Sequence, residues 1–397
     1  MRSISLGNCA TRPVLSSLLP LAEGADANRI AILMRNPETG GVERMLANLA
    51  QGFAQHGVPV DLIVGARDNP YFENLHSRIN LVCLGSIRGR GRGALLALCG
   101  HLSSQRPAVL LAAKDEDCAL AGAAKRRLAR PPRLYLRASS DYSGQLSGRH
   151  AGRLRRWWRY REVRRWFGEA DALVCVSEGV ARDMRKIFRR RHVETHVLPN
   201  PIITPQLAVG VAQAPSHPWF ASGQPPVVLG VGRLAAAKNF PLLLRAFARV
   251  RSQRHCRLVI LGEGKQHEQL LALADRLSIR DSVDLPGFDP NPYAYMARCA
   301  VFVLSSAWEG LGNVLIEAMA CGAPVVSTDC PSGPAEILQG GRFGPLVPVN
   351  DEVALADAML ARLNAPRDSD TLRAAVAHYS VENSSAAYLR TFGLKSR

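Results

Sequence analysis

The sequence predicts an α/β protein built as two doubly wound domains facing a cleft. Three observations predict it. Short, nearly continuous apolar runs alternate with helical patterns from Arg29 onward. A stretch rich in proline and small residues interrupts them at 200–226. The alternation then starts again and continues almost to the end of the 397-residue chain. Runs without polar interruption suit strands covered on both faces, as in a parallel sheet, and two strand–helix series in tandem give two such sheets.

In the first series, "RIAILM" (29–34), "VDLIVG" (60–65), "INLVCLG" (79–85), "AVLLAA" (108–113), "RLYLRAS" (133–139) and "ALVCVS" (172–177) read as buried strands. Between the first two, residues 41–57 carry Val42, Met45, Leu46, Leu49 and Phe53 at helical spacing, with Gly57 as the stop. In the second series the strands are "VVLGVGRL" (227–234), "RLVILGEG" (257–264), "VDLPGF" (283–288), "VFVLSS" (301–306) and "PVVSTD" (324–329). The expected organisation is a loose extension over 1–28, a first domain over 29–205, a linker over 206–226 and a second domain over 227–375. A helix over 376–397 then completes the chain. The mildly apolar "VLSSLLPLA" near the start contains Ser16, Ser17 and Pro20, which argues against a secretory signal.

Composition narrows the function. No apolar run approaches the ~20 residues of a spanning helix, so a soluble or peripheral protein is expected. The formal net charge is +17, which favours anionic partners: nucleic acid, phosphate-bearing ligands or acidic lipid. Nine scattered cysteines without a C-x-x-C pair read as reduced, buried thiols of a cytoplasmic protein.

The most specific stretch is "SSAWEGLGNVLIEAMACGAPVVSTDCPSGPAEIL" (305–338). A strand ends at Ser306, Glu309 follows in the turn, "GLGN" opens a helix and Glu317 lies on it. Two carboxylates so placed can hold two hydroxyl-bearing groups along one ligand. The glycines allow backbone amides to approach it, and the helix start favours a phosphate by ~0.3–1 kcal/mol.

This stretch resembles the signature of the retaining GT-B glycosyltransferases, glycosyltransferase family 4, in which seven residues separate two glutamates. The resemblance covers nearly the whole chain after the first 28 residues. "GVGRLAAAKNF" (230–240) is similar to the family's strand–Arg–loop–Lys element, which implies that Arg233 and Lys238 grip a donor diphosphate. "NPETGGVER" (36–44) is similar to its N-terminal glycine loop, implying that Gly40 and Gly41 approach donor phosphate or acceptor. "VSEGV" (176–180), "LPNP" (198–201), "LGEGK" (261–265) and "LPGF" (285–288) stand where relatives have similar words. By the same resemblance Glu309 meets the donor sugar and Glu317 the ribose hydroxyls, with Glu263, Gly310, Leu311, Gly312 and Asn313 lining the donor site.

The implied activity moves a sugar, with retention, from a nucleotide diphosphate, UDP by expectation. The acceptor is a glycan or a polyprenyl-diphosphate-linked one. No cofactor or metal is implied, and no covalent nucleophile is assigned. "DCPSGPAEIL" (329–338) is similar to relatives that build bacterial surface polysaccharide or lipopolysaccharide, including N-acetylhexosamine transferases. Fixed cations beside the departing diphosphate are also what the chemistry requires, because negative charge grows there in the transition state.

Two departures stand out. Where many relatives carry a histidine in the first domain, this chain reads "LLAAKDEDCALAG" (110–122). Asp115 and Asp117 form a D-x-D that could hold a hard cation, against the simpler reading of an acidic loop. His56, His76 and His101 read as surface or satisfied structural residues.

The stretch over 149–168 holds eight arginines, three tryptophans and a tyrosine. An Arg/Trp surface suits a lipid interface. Arg155, Arg156, Trp157 and Trp158 are therefore the expected contact with an anionic membrane, on the inner face of the cell membrane near a lipid-linked acceptor. Two rivals remain. An epimerase or phosphorylase of the same fold would turn over the donor alone or with phosphate. A nucleic-acid-binding protein would explain the charge but not the ordered Arg233, Lys238, Glu309 and Glu317, and no nucleic-acid module accompanies the patch.

Overall fold

The computed structural model describes residues 26–35, 40–66, 69–84, 92–144, 152–189 and 193–395. Most of the N-terminal extension, and residues 36–39 of the glycine loop, lie outside the described residues.

The first half contributes strands β1 (Asp26–Met34), β2 (Val60–Val64), β3 (Ile79–Cys83), β4 (Pro107–Ala112), β5 (Arg133–Ala138), β6 (Ala172–Cys175) and β7 (Glu194–Val197). Its helices are α1 (Gly41–Gln55), α2 (Arg92–Gln105), α3 (Asp115–Lys125), α4 (Arg153–Phe167) and α5 (Glu178–Ile187). All neighbouring strands run parallel, in the order β3-β2-β1-β4-β5-β6-β7. Strands β2 and β4 are buried at every position, as their nearly continuous apolar runs, broken only by Asp61 in β2, require of a sheet covered by helices on both faces.

After α6 (Pro205–Ala212) the second half contributes β8 (Val227–Val231), β9 (Arg257–Leu261), β10 (Val283–Gly287), β11 (Val301–Leu304), β12 (Val325–Thr328) and β13 (Leu346–Val347). Its helices are α7 (Phe240–Arg251), α8 (His267–Arg276), α9 (Pro292–Arg298), α10 (Asn313–Ala320), α11 (Pro334–Ile337), α12 (Glu352–Asn364), α13 (Ser369–Val376) and α14 (Val381–Phe392). The strand order is β10-β9-β8-β11-β12-β13. Both sheets reverse order beside their first strand, and the crevice at that switch point is where such sheets bind ligands.

The segment expected as a linker carries a helix, which Pro205 starts at a position where its missing N–H costs nothing. Leu207 and Gly210 of α6 are buried, and Asn291 donates to the Gly210 carbonyl at 3.1 Å. Proline and small residues there allow close packing on the second domain. Strand β1 begins at Asp26, inside the span expected to be loose. Strands β7 and β13 escaped the sequence reading because they lie at sheet edges. "ETHV" of β7 is largely polar and half-buried, and β13 has only two residues.

The chain crosses between the halves twice, and the crossings are tied together. Ile202 and Ile203 donate to the Tyr379 carbonyl at 2.9 and 3.0 Å, and Val381 donates to Ile203 at 3.1 Å. Helix α14 then packs on α1 of the first half. Phe53 meets Tyr388 and Phe392 with ring centroids 6.2 and 6.1 Å apart, and a Cβ at Gly52 would strike Ser385. Among the described residues, no helix is long and apolar enough to cross a membrane.

The described cysteines are all free. Cys118, Cys175, Cys256, Cys299, Cys321 and Cys330 are buried, but Cys83 is exposed and Cys99 is half-buried, so the expectation of buried thiols fails for these two. Burial pushes the thiols of Cys175, Cys299 and Cys321 up to about 12.

Candidate active site in the interdomain cleft

The second-domain wall is built from loops at the carboxyl ends of its strands. The loops after β8 and β9 lie backbone to backbone: Gly232 donates to Leu261 at 2.9 Å and Leu234 to Glu263 at 2.8 Å. A Cβ at Gly264 would collide with the Leu234 carbonyl, so only glycine admits the pairing. Arg233 and Glu263 thus emerge on adjacent loops with exposed side chains. Among the described residues the Arg233 side chain has no ion-pair or hydrogen-bond partner, which leaves its whole guanidinium fork available for an anion.

Lys238 and Glu309 meet. Lys238 Nζ and Ser306 Oγ each donate to Glu309 Oε1 at 2.6 Å. Ser305 Oγ donates to the Lys238 carbonyl at 2.8 Å and Thr328 Oγ1 to the Ser306 carbonyl at 2.6 Å. The turn after β11 is therefore bolted to the loop that carries Lys238. Gly312, at φ +95°, reverses the chain into α10, whose first turn bears Asn313 and whose second bears Glu317. Burial, with Glu309 adding to it, pushes the Cys330 thiol under this wall up to about 12.

Some residues expected on the donor wall are otherwise engaged. Leu311 is 4% exposed and belongs to the core, so it offers a ligand only backbone. Asn313 Oδ1 accepts from Asn200 Nδ2 at 2.8 Å. Asn200 Oδ1 in turn accepts from Arg137 Nη2 at 2.6 Å, within a first-domain core where Arg137 is 1% exposed. The carbonyl of Gly310 accepts from Ser177 Oγ at 2.7 Å, and a Cβ at Gly310 would collide with the Ser139 carbonyl of the first domain.

The first-domain wall presents the start of α1. Gly40 precedes it, and a Cβ there would stand 2.6 Å from Glu43 Oε2; Gly41 has open space around its Cα. Glu43 is buried and paired with Lys114. Arg44, absent from the sequence reading, reaches across the cleft: it pairs with Glu317 and its Nη1 donates to Tyr293 Oη at 3.2 Å. The Glu317 charge raises the Arg44 pKa further above its ordinary value, against the effect of burial. The word "GGVER" was the available signal, but nothing in it shows that the arginine finds a glutamate 273 positions away.

Asp115 and Asp117 occupy the first turn of α3, not a loop. Asp115 accepts from Tyr142 Oη at 2.6 Å and Asp117 from Arg35 Nε at 2.8 Å. Among the described residues no three His, Cys, Asp or Glu side chains gather to hold a metal ion. His101 pairs with the buried Asp61 at 3.1 Å, and His56 and His76 make peripheral contacts with backbone.

Helix α4 packs on α3 and α5 of the first domain. Val163 and Phe167 anchor it in the core, while Arg159 lies over Tyr142 and Trp166 at 5.3 and 4.9 Å. Leu154, Trp157 and Trp158 are exposed. The two tryptophans pack edge to face, 4.9 Å apart, with Arg161 over both. Arg155 and Arg156 are exposed beside them. Trp166 and Phe167 face inward, so the apolar side chains of α4 do not share one face.

Two family descriptions match the chain, "Glycosyltransferase Family 4" over residues 39–205 and "Glycosyl transferases group 1" over residues 225–365. The chain belongs to the group 1, family 4 glycosyltransferases. Among similar family proteins is the N-acetylgalactosamine-N,N'-diacetylbacillosaminyl-diphospho-undecaprenol 4-alpha-N-acetylgalactosaminyltransferase of Campylobacter jejuni. It is 45% identical over 148 residues, 37% of this chain and 39% of that protein. The lipopolysaccharide core biosynthesis glycosyltransferase LpsE of Rhizobium meliloti is 32% identical over 238 residues, 58% of this chain and 66% of that protein. The chain thus spans only part of the length of the curated relatives it matches.

Solved structures show that the family fold here is GT-B. Sucrose-phosphate synthase from Thermosynechococcus elongatus superposes with a TM-score of 0.75 at 19% identity, covering 92% of this chain and 98% of that one. The apo lipopolysaccharide outer core galactosyltransferase WaaB gives 0.67 at 18% identity, covering 92% and 99%.

Proposed function

We propose that this chain is a retaining glycosyltransferase that takes a hexosyl or N-acetylhexosaminyl group from a UDP-sugar. The acceptor is a glycan or a polyprenyl-diphosphate-linked saccharide, in the building of bacterial surface polysaccharide or lipopolysaccharide. The observation that carries the reading is the single wall on which Lys238 meets Glu309 while Arg233 stands free. As the bond to the sugar breaks, charge builds on the leaving diphosphate. Arg233 forks onto phosphate oxygens and Lys238 supplies a compact charge. Because these cations are fixed before the reaction, they stabilise the transition state more than the bound substrate. Glu309 Oε2 addresses the donor sugar hydroxyls and Glu317 the ribose. No side chain is assigned as covalent nucleophile and no metal is required: EDTA leaves turnover unchanged, and loss of activity restored by Mn²⁺ would refute that part.

Support for the acceptor comes from the diphospho-undecaprenol in the name of the Campylobacter relative and from α4. At about 1 kcal/mol per basic residue near an anionic surface, Arg155 and Arg156 with Trp157 and Trp158 hold the first domain on the inner face of the cell membrane.

The deciding experiment is a thermal shift against a panel of nucleotide sugars. One UDP-sugar raises the melting temperature, and Glu317→Ala and Arg233→Ala both abolish the rise. A folded protein that responds to no nucleotide sugar contradicts the reading.

A further inference from the structure

Glu317 is almost fully buried on α10, at 4% exposure. A carboxylate so placed needs a compensating charge, and among the described residues no cation of the second domain pairs with it. The charge comes from Arg44 on α1, in the other domain, which engages Glu317 Oε1. No other protein group among the described residues hydrogen-bonds to the Glu317 carboxylate, so Oε2 is left for a ligand. Arg44 is itself directed. Its neighbour Glu43 is turned away and paired with Lys114, so it does not draw off the guanidinium. The second arm of the fork donates to Tyr293 Oη. Burial raises the Tyr293 phenol well above its usual range, so it stays a neutral acceptor.

We propose that Arg44 is a positioning residue for nucleotide recognition. Holding one oxygen of Glu317, it fixes the carboxylate with the other turned to the ribose hydroxyls, so the ribose is read only when the two domains have come together. The proposal rests on the reading of Glu317 as the ribose-binding group. It makes the donor's ribose the element that couples nucleotide binding to domain closure, since contact with Glu317 gains strength only with Arg44 in place. Lysine at position 44 would carry the charge but could not fork between Glu317 and Tyr293.

The test measures, by calorimetry, binding of UDP, GDP and ADP and of their 2′,3′-dideoxy counterparts. The proteins are the full chain, Arg44→Met, Arg44→Gln, Arg44→Lys and Glu317→Gln. The unsubstituted protein prefers the ribose form of its nucleotide by roughly tenfold to a hundredfold, the value of a hydrogen bond to a charged group. In Arg44→Met and Arg44→Gln that ratio falls to within about threefold of unity, whereas affinity for the dideoxy form changes by less than about twofold, which also shows that the site is folded. Arg44→Lys gives an intermediate ratio. A merely structural role would weaken both forms alike. The proposal is overturned if the uncharged variants keep the full ratio, lose both forms equally, or bind the ribose form more tightly because Arg44 obstructs it. Failure of the underlying reading looks different: Glu317→Gln itself keeps the ratio, or the unsubstituted protein binds no nucleoside diphosphate.

Discussion

The two walls of the cleft rest on the same strand order but are furnished in opposite ways. The second-domain wall draws Arg233, Lys238, Glu309 and Glu317 from two short stretches, 230–240 and 305–317, with Glu263 on the neighbouring loop, and the two stretches contact one another: Lys238 with Glu309, Ser305 with the Lys238 backbone. The first-domain wall draws single residues from separate elements, Arg44 from α1 and Ser139, Ser177 and Asn200 from the segments after β5, β6 and β7, and each contacts the opposite domain. Lys238 and Glu309 are held within their own wall, whereas Glu317, Gly310 and Asn313 are joined to the first domain across the cleft. Substitutions on the second-domain wall should therefore damage chemistry, and those on the first should damage the relation between domains.

The largest expected effect tests that division directly. Lys238→Ala removes a fixed charge from the departing diphosphate and lowers kcat by roughly 10²–10³-fold, the loss typical of one preorganised electrostatic group. Asn200→Ala opens the Arg137–Asn200–Asn313 chain and lowers kcat by less than about tenfold. Steady-state kinetics with the donor identified by thermal shift compares the two. Equal losses would erase the distinction between the walls.

The same division explains what the sequence disclosed. The second wall was legible because its residues are neighbours in the chain, so spacing alone put Glu309 in a turn and Glu317 on a helix. The words "VSEGV", "LPNP" and "GGVER" were visible too, but their use was not. Ser177, Asn200 and Arg44 act on groups more than a hundred positions away, and periodicity carries no information about such pairs. The fold was readable wherever a strand is apolar throughout. It failed at β7 and β13, where an edge position relaxes the demand for apolar residues, and at α6, where proline and small residues serve close packing. Asp115 and Asp117 were visible as a D-x-D, but not that Tyr142 donates to one and Arg35 to the other.

A smaller effect concerns the outer surface of the first domain. Arg155→Ser with Arg156→Ser should weaken partition onto vesicles containing anionic phospholipid by roughly thirtyfold at low salt, about 1 kcal/mol for each charge removed. The thermal shift with nucleotide sugar should not change, because the contacts of α4 among the described residues are within the first domain. Sedimentation with vesicles reads the first quantity. Undiminished partition would leave the exposed Trp157 and Trp158 without a membrane role for the arginines beside them, and a lost nucleotide shift would tie α4 to the cleft after all.

The smallest effect sits where the two domains meet at α5. Glu336, on α11 of the second domain, accepts from the backbone amides of Glu178 and Gly179 at 2.8 Å each, at the positive end of α5 in the first domain. Ser177 caps that helix by accepting from Val180 at 3.2 Å while donating to the Gly310 carbonyl. An anion at a helix start contributes about 1 kcal/mol when partly buried, and here the contribution acts between domains. Glu336→Gln keeps the shape and one acceptor but removes the charge. It should lower the melting temperature by roughly 2 °C and leave kcat within about twofold, since Glu336 meets none of Arg233, Lys238, Glu309 or Glu317. Added salt screens an exposed pair more than a buried one, so this loss should shrink as ionic strength rises while the loss in Lys238→Ala persists. If Glu336→Gln reduced turnover as severely as Lys238→Ala, the interface would be part of the chemistry, and the contrast between the Lys238–Glu309 pair and the contacts across the cleft would fail.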